Sequence, residues 1–96
     1  MIAVRKIVSF PMGKVVATPG ALSAVLEAEQ TPIEFLDRHS QCDWGEVCGD
    51  DWEVNDQSLI DGTRILSAYR TKTDVRIWVI TEADRSSTCI LLPEEY

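Results

Sequence analysis

Residues 63–96 read TRILSAYRTKTDVRIWVITEADRSSTCILLPEEY: three β-branched and aromatic runs set apart by two short polar breaks. Runs this short, alternating in polarity and joined by brief polar loops, predict a three-stranded antiparallel meander on which the rest of the chain packs. Along 64–70, Ile65, Ser67 and Tyr69 fall on one face and Leu66, Ala68 and Arg70 on the other. Along 75–81, Val75, Ile77 and Val79 oppose Arg76, Trp78 and Ile80. Both faces of this middle run are largely apolar, which predicts a central place in the sheet. Residues 71–74 suit a hairpin loop, 82–87 a polar connection and 88–92 the last strand, which Pro93 stops.

Upstream, 2–8 (IAVRKIV) and 14–17 (KVVA) flank the turn residues Pro11 and Gly13. They predict either a hairpin or one sheet strand preceded by an added edge strand. Two helices follow, at about 19–28 and 32–40, each opened by Thr-Pro, a capping hydroxyl before a proline at the first helical position. Leu22, Val25 and Leu26 make an apolar stripe on the first. Thr31-Pro32-Ile33-Glu34 adds a capping box to the second, with Ile33, Phe35 and Leu36 inward. Asp43 could cap one helical turn over 43–47. Asp50 or Asp51 could cap a third helix to about Ile60, burying Trp52, Leu59 and Ile60, with Gly62 as its stop. The order predicts a single α+β domain over 1–96. Its mostly antiparallel sheet joins the C-terminal meander to one or two N-terminal strands, with two to three short helices on one face.

The length of 96 residues allows one modest core. No apolar run is long enough to span a membrane, and MIAVRKIVSF lacks a signal-peptide pattern, so the expectation is a cytoplasmic protein without a membrane partner. Cys42, Cys48 and Cys89 are an odd set and read as reduced thiols, Cys89 as a small core residue. The net charge of -7 argues against direct nucleic-acid binding. Its distribution is uneven: residues 27–61 hold eleven acids and one base, Arg38, whereas 1–26 hold three bases and no acid, and 62–96 balance.

Three constellations could carry chemistry. His39, Cys42 and Cys48, with Asp43, invite a metal reading, but the H-x-x-C-x5-C spacing is wider than zinc pairs prefer. Glu82, Asp84 and Arg85 crowd one loop and, with His39, could form an acid–base site; the plain alternative is a solvated turn. Asp43-Trp44-Gly45-Glu46 and Asp50-Asp51-Trp52-Glu53, with Asp56, set two tryptophans among carboxylates, as core anchors or as contacts for a basic protein partner. No phosphate-cradling or dinucleotide motif is present, and no cofactor is expected.

The strings FLDRHSQCDWGEVC, GTRILSAY and IWVITEADRSSTCILLPEEY resemble a family of small uncharacterised proteins borne on bacterial plasmids and other mobile elements. Members are sometimes labelled as a restriction–modification methyltransferase subunit, yet this chain has neither the length nor the motifs of a methyltransferase. The resemblance implies an intracellular accessory protein of mobile DNA. The element order is also that of RelE/ParE-type toxins, a likeness of fold only, and the acidic middle counts against a ribonuclease. The leading expectation is a non-enzymatic interaction module that meets a basic protein through its acidic half. A small enzyme using His39 and the 82–86 loop is the competing reading, and a toxin-like domain a third. Homodimers through a sheet edge at 2–8 or 88–92 are a further expectation.

Overall fold

The computed structural model describes residues 10–96; the strand reading of 2–8 lies outside them. The described elements are β1 (Lys14–Ala17), α1 (Pro19–Glu27), α2 (Pro32–Ser40), α3 (Gly49–Asp61), β2 (Ile65–Arg70), β3 (Arg76–Thr81), β4 (Ser87–Leu91) and a closing 3-10 turn, Pro93–Glu95. They form an α+β fold on a four-stranded sheet of order β1-β4-β3-β2. The meander pairs antiparallel, with Ser67 opposite Val79 and Val79 opposite Ile90. β1 runs parallel to β4 and places Val15 beside Thr88. β4 is therefore internal, and the expectation of a dimerising edge at 88–92 is corrected.

The register puts Ile65, Ser67, Tyr69, Ile77, Val79, Thr81, Thr88 and Ile90 on one face. All eight are buried. One apolar cluster joins Tyr69, Ile77, Val79 and Ile90 to Ala21, Ala24 and Val25 of α1 and Phe35 of α2. A second joins Ile65 to Cys42 and Trp44, with Phe10, Val47, Trp52 and Leu59 packed against it.

Several helix-face expectations change. α1 buries Ala21, Ala24 and Val25, and its C-cap Ala28 is buried too, while Leu22 and Leu26 are exposed. Small side chains let the helix lie close to β4, so the bulky leucines turn outward. Ile33 is 68% exposed and Ile60 79%, because α2 turns Phe35 inward and α3 turns Asn55 and Ser58 inward instead. The Thr18 hydroxyl caps α1 by accepting from Ala21 N–H, but Thr31 makes no cap bond on α2, and Glu34 accepts from Gln30 Nε2 at 2.8 Å instead.

α3 begins earlier than expected, with Cys48 at its N-cap. Asp50 and Asp51 sit in its first turn, where their charge complements the helix dipole. Gly62 ends it in the left-handed conformation, as its position suggested.

Residues 43–47 form no helical turn. They run along the outer edge of β2, where Ala68 N–H donates to Trp44 O at 3.0 Å and Glu46 N–H to Ala68 O at 2.6 Å. Gly45 makes this possible: its φ is +76°, and a Cβ there would stand 2.0 Å from Ala68 O. Two residues along the strand, Asn55 of α3 bonds both backbone groups of Leu66. β2 is an edge strand whose outward groups at 66 and 68 are already bonded.

Candidate functional site

The candidate partner-binding residues separate into buried supports and an exposed face. Trp44 is 0% exposed, so it is a core anchor and leaves the contact surface. Its Nε1–H donates to Asp56 Oδ1 at 3.0 Å, which makes Asp56 a strut between α3 and the second cluster. Trp52 is half-buried against the same cluster. Asp43 pairs with Arg38 at 2.8 Å and accepts from Gly45 N–H; the Arg38 hydrogen bond holds its carboxyl below the usual range. Glu46 meets Arg70 at 3.1 Å, and Arg70 also holds Asp74.

Asp50, Asp51 and Glu53 remain exposed on α3. None of them, nor Asp61 at the helix end, takes part in an ion pair among the described residues. With Asn55 and Ser58 turned inward, a helical turn of about 100° per residue groups Asp50, Glu53, Val54, Gln57, Ile60 and Asp61 on the outward side. Val54 and Ile60 are exposed there, and α3 carries no basic residue. Asp51 lies to one side, lining with Val54, Asn55, Arg64 and Leu66 a pocket of about 190 Å³ between α3 and β2.

The proposed acid–base set meets a different arrangement. His39 is 0% exposed. Its Nδ1 bonds the Ser67 hydroxyl and its Nε2 the Thr81 hydroxyl, the latter at 2.8 Å. Phe10 and Trp44 stand edge-on to the ring at 5.2 and 5.7 Å. Burial first, then the charge of Arg85, lowers its pKa to about 4, so the imidazole is neutral at pH 7.

Arg85 does approach this region, its guanidinium 5.9 Å from the Phe10 ring. It is spent on carbonyls: Nη1 donates to Thr63 O at 2.7 Å and Glu82 O at 3.1 Å, and Nη2 to Ser58 O at 3.0 Å. The residue thereby ties the β3–β4 hairpin to the C-terminal end of α3, supplying the positive charge that the helix itself lacks there. Glu82 and Asp84 are exposed, and Asp84 accepts from Ser86 N–H within the turn. The hairpin acts as a clamp, and His39 offers no nitrogen to a solvent-borne substrate.

The metal reading fares similarly. Both His39 nitrogens face hydroxyls, Cys48 is exposed and Cys42 buried. Among the described residues, no three of His, Cys, Asp and Glu converge on a metal position. Cys89 is half-buried on the sheet face away from Thr88 and Ile90, rather than a core residue.

Sequence reasoning missed Glu95. Its carboxylate accepts from the Thr18 hydroxyl and from Leu92 N–H at 2.9 Å, so the C-terminal turn grips the N-terminus of α1. Tyr96 packs edge-on against Trp78 and hydrogen-bonds Arg64. The motifs ITEADRSST and LLPEEY thus carry structural ties. No protein-family model, curated protein or solved structure matches the chain. No helix among the described residues is long and apolar enough to cross a membrane.

Proposed function

We propose that this chain is a small non-enzymatic interaction module that binds a basic protein through the outward side of α3. The supporting observation is the exposed carboxylates Asp50, Glu53 and Asp61 on the outward side of α3, with exposed Asp51 to one side, on a helix with no base and no ion pair to any of the four among the described residues. A patch of one sign steers an oppositely charged partner and raises its capture rate. Val54 and Ile60 beside the carboxylates offer apolar area for a contact that outlasts the encounter. Burial of His39 and commitment of Arg85 to carbonyls weigh against the enzymatic alternative. On this reading the partner is a nucleic-acid-handling protein of a defence or restriction system, which the module modulates or inhibits on behalf of a mobile element.

The test is affinity capture from a bacterial lysate by the wild-type chain and by D50N/D51N/E53Q, at low and high salt. Wild type should retain a basic protein that salt releases, because exposed charges are screened within about 10 Å at 0.1 M. The triple variant should fold and lose that protein. Equal capture by both chains would exclude the acidic face as the binding surface.

A further inference from the structure

The chain's single histidine lies in a hydrogen-bond series whose direction is set at one end. Thr88 Oγ1 donates its proton to Met12 O at 2.8 Å. A hydroxyl has one proton, so toward Thr81 the Thr88 oxygen accepts, across 2.8 Å. Thr81 therefore gives its own proton to Thr88 and accepts from His39 Nε2–H. Neutral imidazole carries one N–H, which leaves Nδ1 as acceptor of the Ser67 hydroxyl. The series Ser67, His39, Thr81, Thr88, Met12 carbonyl is closed only by the Nε2–H tautomer.

It joins α2 to β2, β3, β4 and the residues leading into β1. We propose that this series is an acid-sensitive joint: it pins the C-terminal end of α2 to the sheet while His39 is neutral, and a second ring proton releases that end together with residues 41–47.

Two features carry the release. A proton on Nδ1 meets the Ser67 hydroxyl head-on, so Ser67 must turn its own proton elsewhere. Among the described residues, the imidazolium is also a buried charge with no counter-ion facing it. The sheet presents Ser67, Thr81 and Thr88, which do not titrate in this range, and Tyr69, whose hydroxyl donates to Asp43 O and whose phenol burial pushes up. The hairpin presents Arg85, a like charge. On its own helix end stand Arg38 and Asp43, already paired with each other, and the thiol of Cys42. From α3, Asp56 is engaged on the indole N–H of Trp44. This inference does not depend on the interaction reading above.

The one imidazole can be followed by NMR without ambiguity, alongside backbone amide exchange corrected for intrinsic rates. The ring should titrate well below 6.5, near the lowered value of about 4. Protection of amides 39–47 should fall at least about tenfold between pH 7 and 4.5 and should stay below that of amides 24–27 of α1 at both pH values, so that the joint opens before the domain unfolds. In His39→Gln, protection at 39–47 should no longer depend on pH over this range. A midpoint near 6.5, a pH-independent protection at 39–47, or protection at 39–47 as high as in α1 would each overturn the proposal. The wild-type chain carries these three readouts without the variant.

Discussion

The Asn55 side chain replaces a neighbouring strand for Leu66: Nδ2 donates to Leu66 O at 2.7 Å, and Leu66 N–H donates to Oδ1 at 3.2 Å. Asn55 is itself buried. Asn55→Ala leaves two backbone groups without partners and should cost about 2–3 kcal/mol. Asn55→Asp should cost more, because it sets an acceptor against the Leu66 carbonyl. Denaturant unfolding of the three chains gives the order, and a loss under about 0.5 kcal/mol for Ala would contradict the role.

Arg85 links two elements through backbone carbonyls, which fixes the expected effect of replacing it. Arg85→Lys keeps the charge but loses the fork that reaches Ser58 and Thr63 together. Arg85→Ala should cost about 2 kcal/mol, of which lysine should recover less than half. Amide exchange at 60–63 should report the loosening of the α3 end before the rest of the domain responds.

Gly45 and Gly62 share a left-handed backbone but differ in their surroundings. A Cβ at Gly62 meets nothing within 4 Å, so Gly62→Ala should cost only the conformational term, about 1–2 kcal/mol. At Gly45 the same Cβ would meet Ala68 O at 2.0 Å and the Tyr69 ring at 2.6 Å. Gly45→Ala should cost well above that, about 3 kcal/mol or more, and expel the 44–46 segment from β2. Thermal unfolding of the pair separates conformational strain from collision.

His39 and Glu95 both make stability fall with acid, in successive windows. The folded pKa of His39 lies below its ordinary 6.5, at about 4, so the unfolded chain binds the extra proton first. Stability present above 6.5 is lost as pH falls to about 4, by about 3 kcal/mol at 1.36 kcal/mol per unit. Glu95 is held below its ordinary value, chiefly by the Thr18 hydroxyl and Leu92 N–H. Its contribution is present above the ordinary glutamate range and is lost only as pH falls through the lower folded pKa. Glu95→Gln should shrink the second step, to which the lowered carboxyls of Asp43 and Asp84 also contribute, and leave the first, as read from unfolding midpoints against pH.

The α+β class, the meander and the helices at 19–27 and 32–40 were legible because each rests on local signals. Alternation of side chains, Thr-Pro starts and the Gly62 stop act within a few residues. Helix faces were less legible. Hydrophobicity ranked Leu22, Leu26, Ile33 and Ile60 as inward, but how near a helix lies to the sheet decides which of its sides can be filled.

The candidate site divides along the same line. The acidic character of 27–61 is a property of composition and survives folding on the outside of α3. The roles of His39, Trp44, Asn55, Arg85 and Glu95 depend on partners 11 to 77 positions away. No spacing rule reaches that far. By itself the sequence determined the main strands and helices, the Thr18 cap, the Gly62 stop and the sign of the surface. The tertiary structure alone decided which polar groups became ties, because a buried donor must find its acceptor wherever the packed chain brings one.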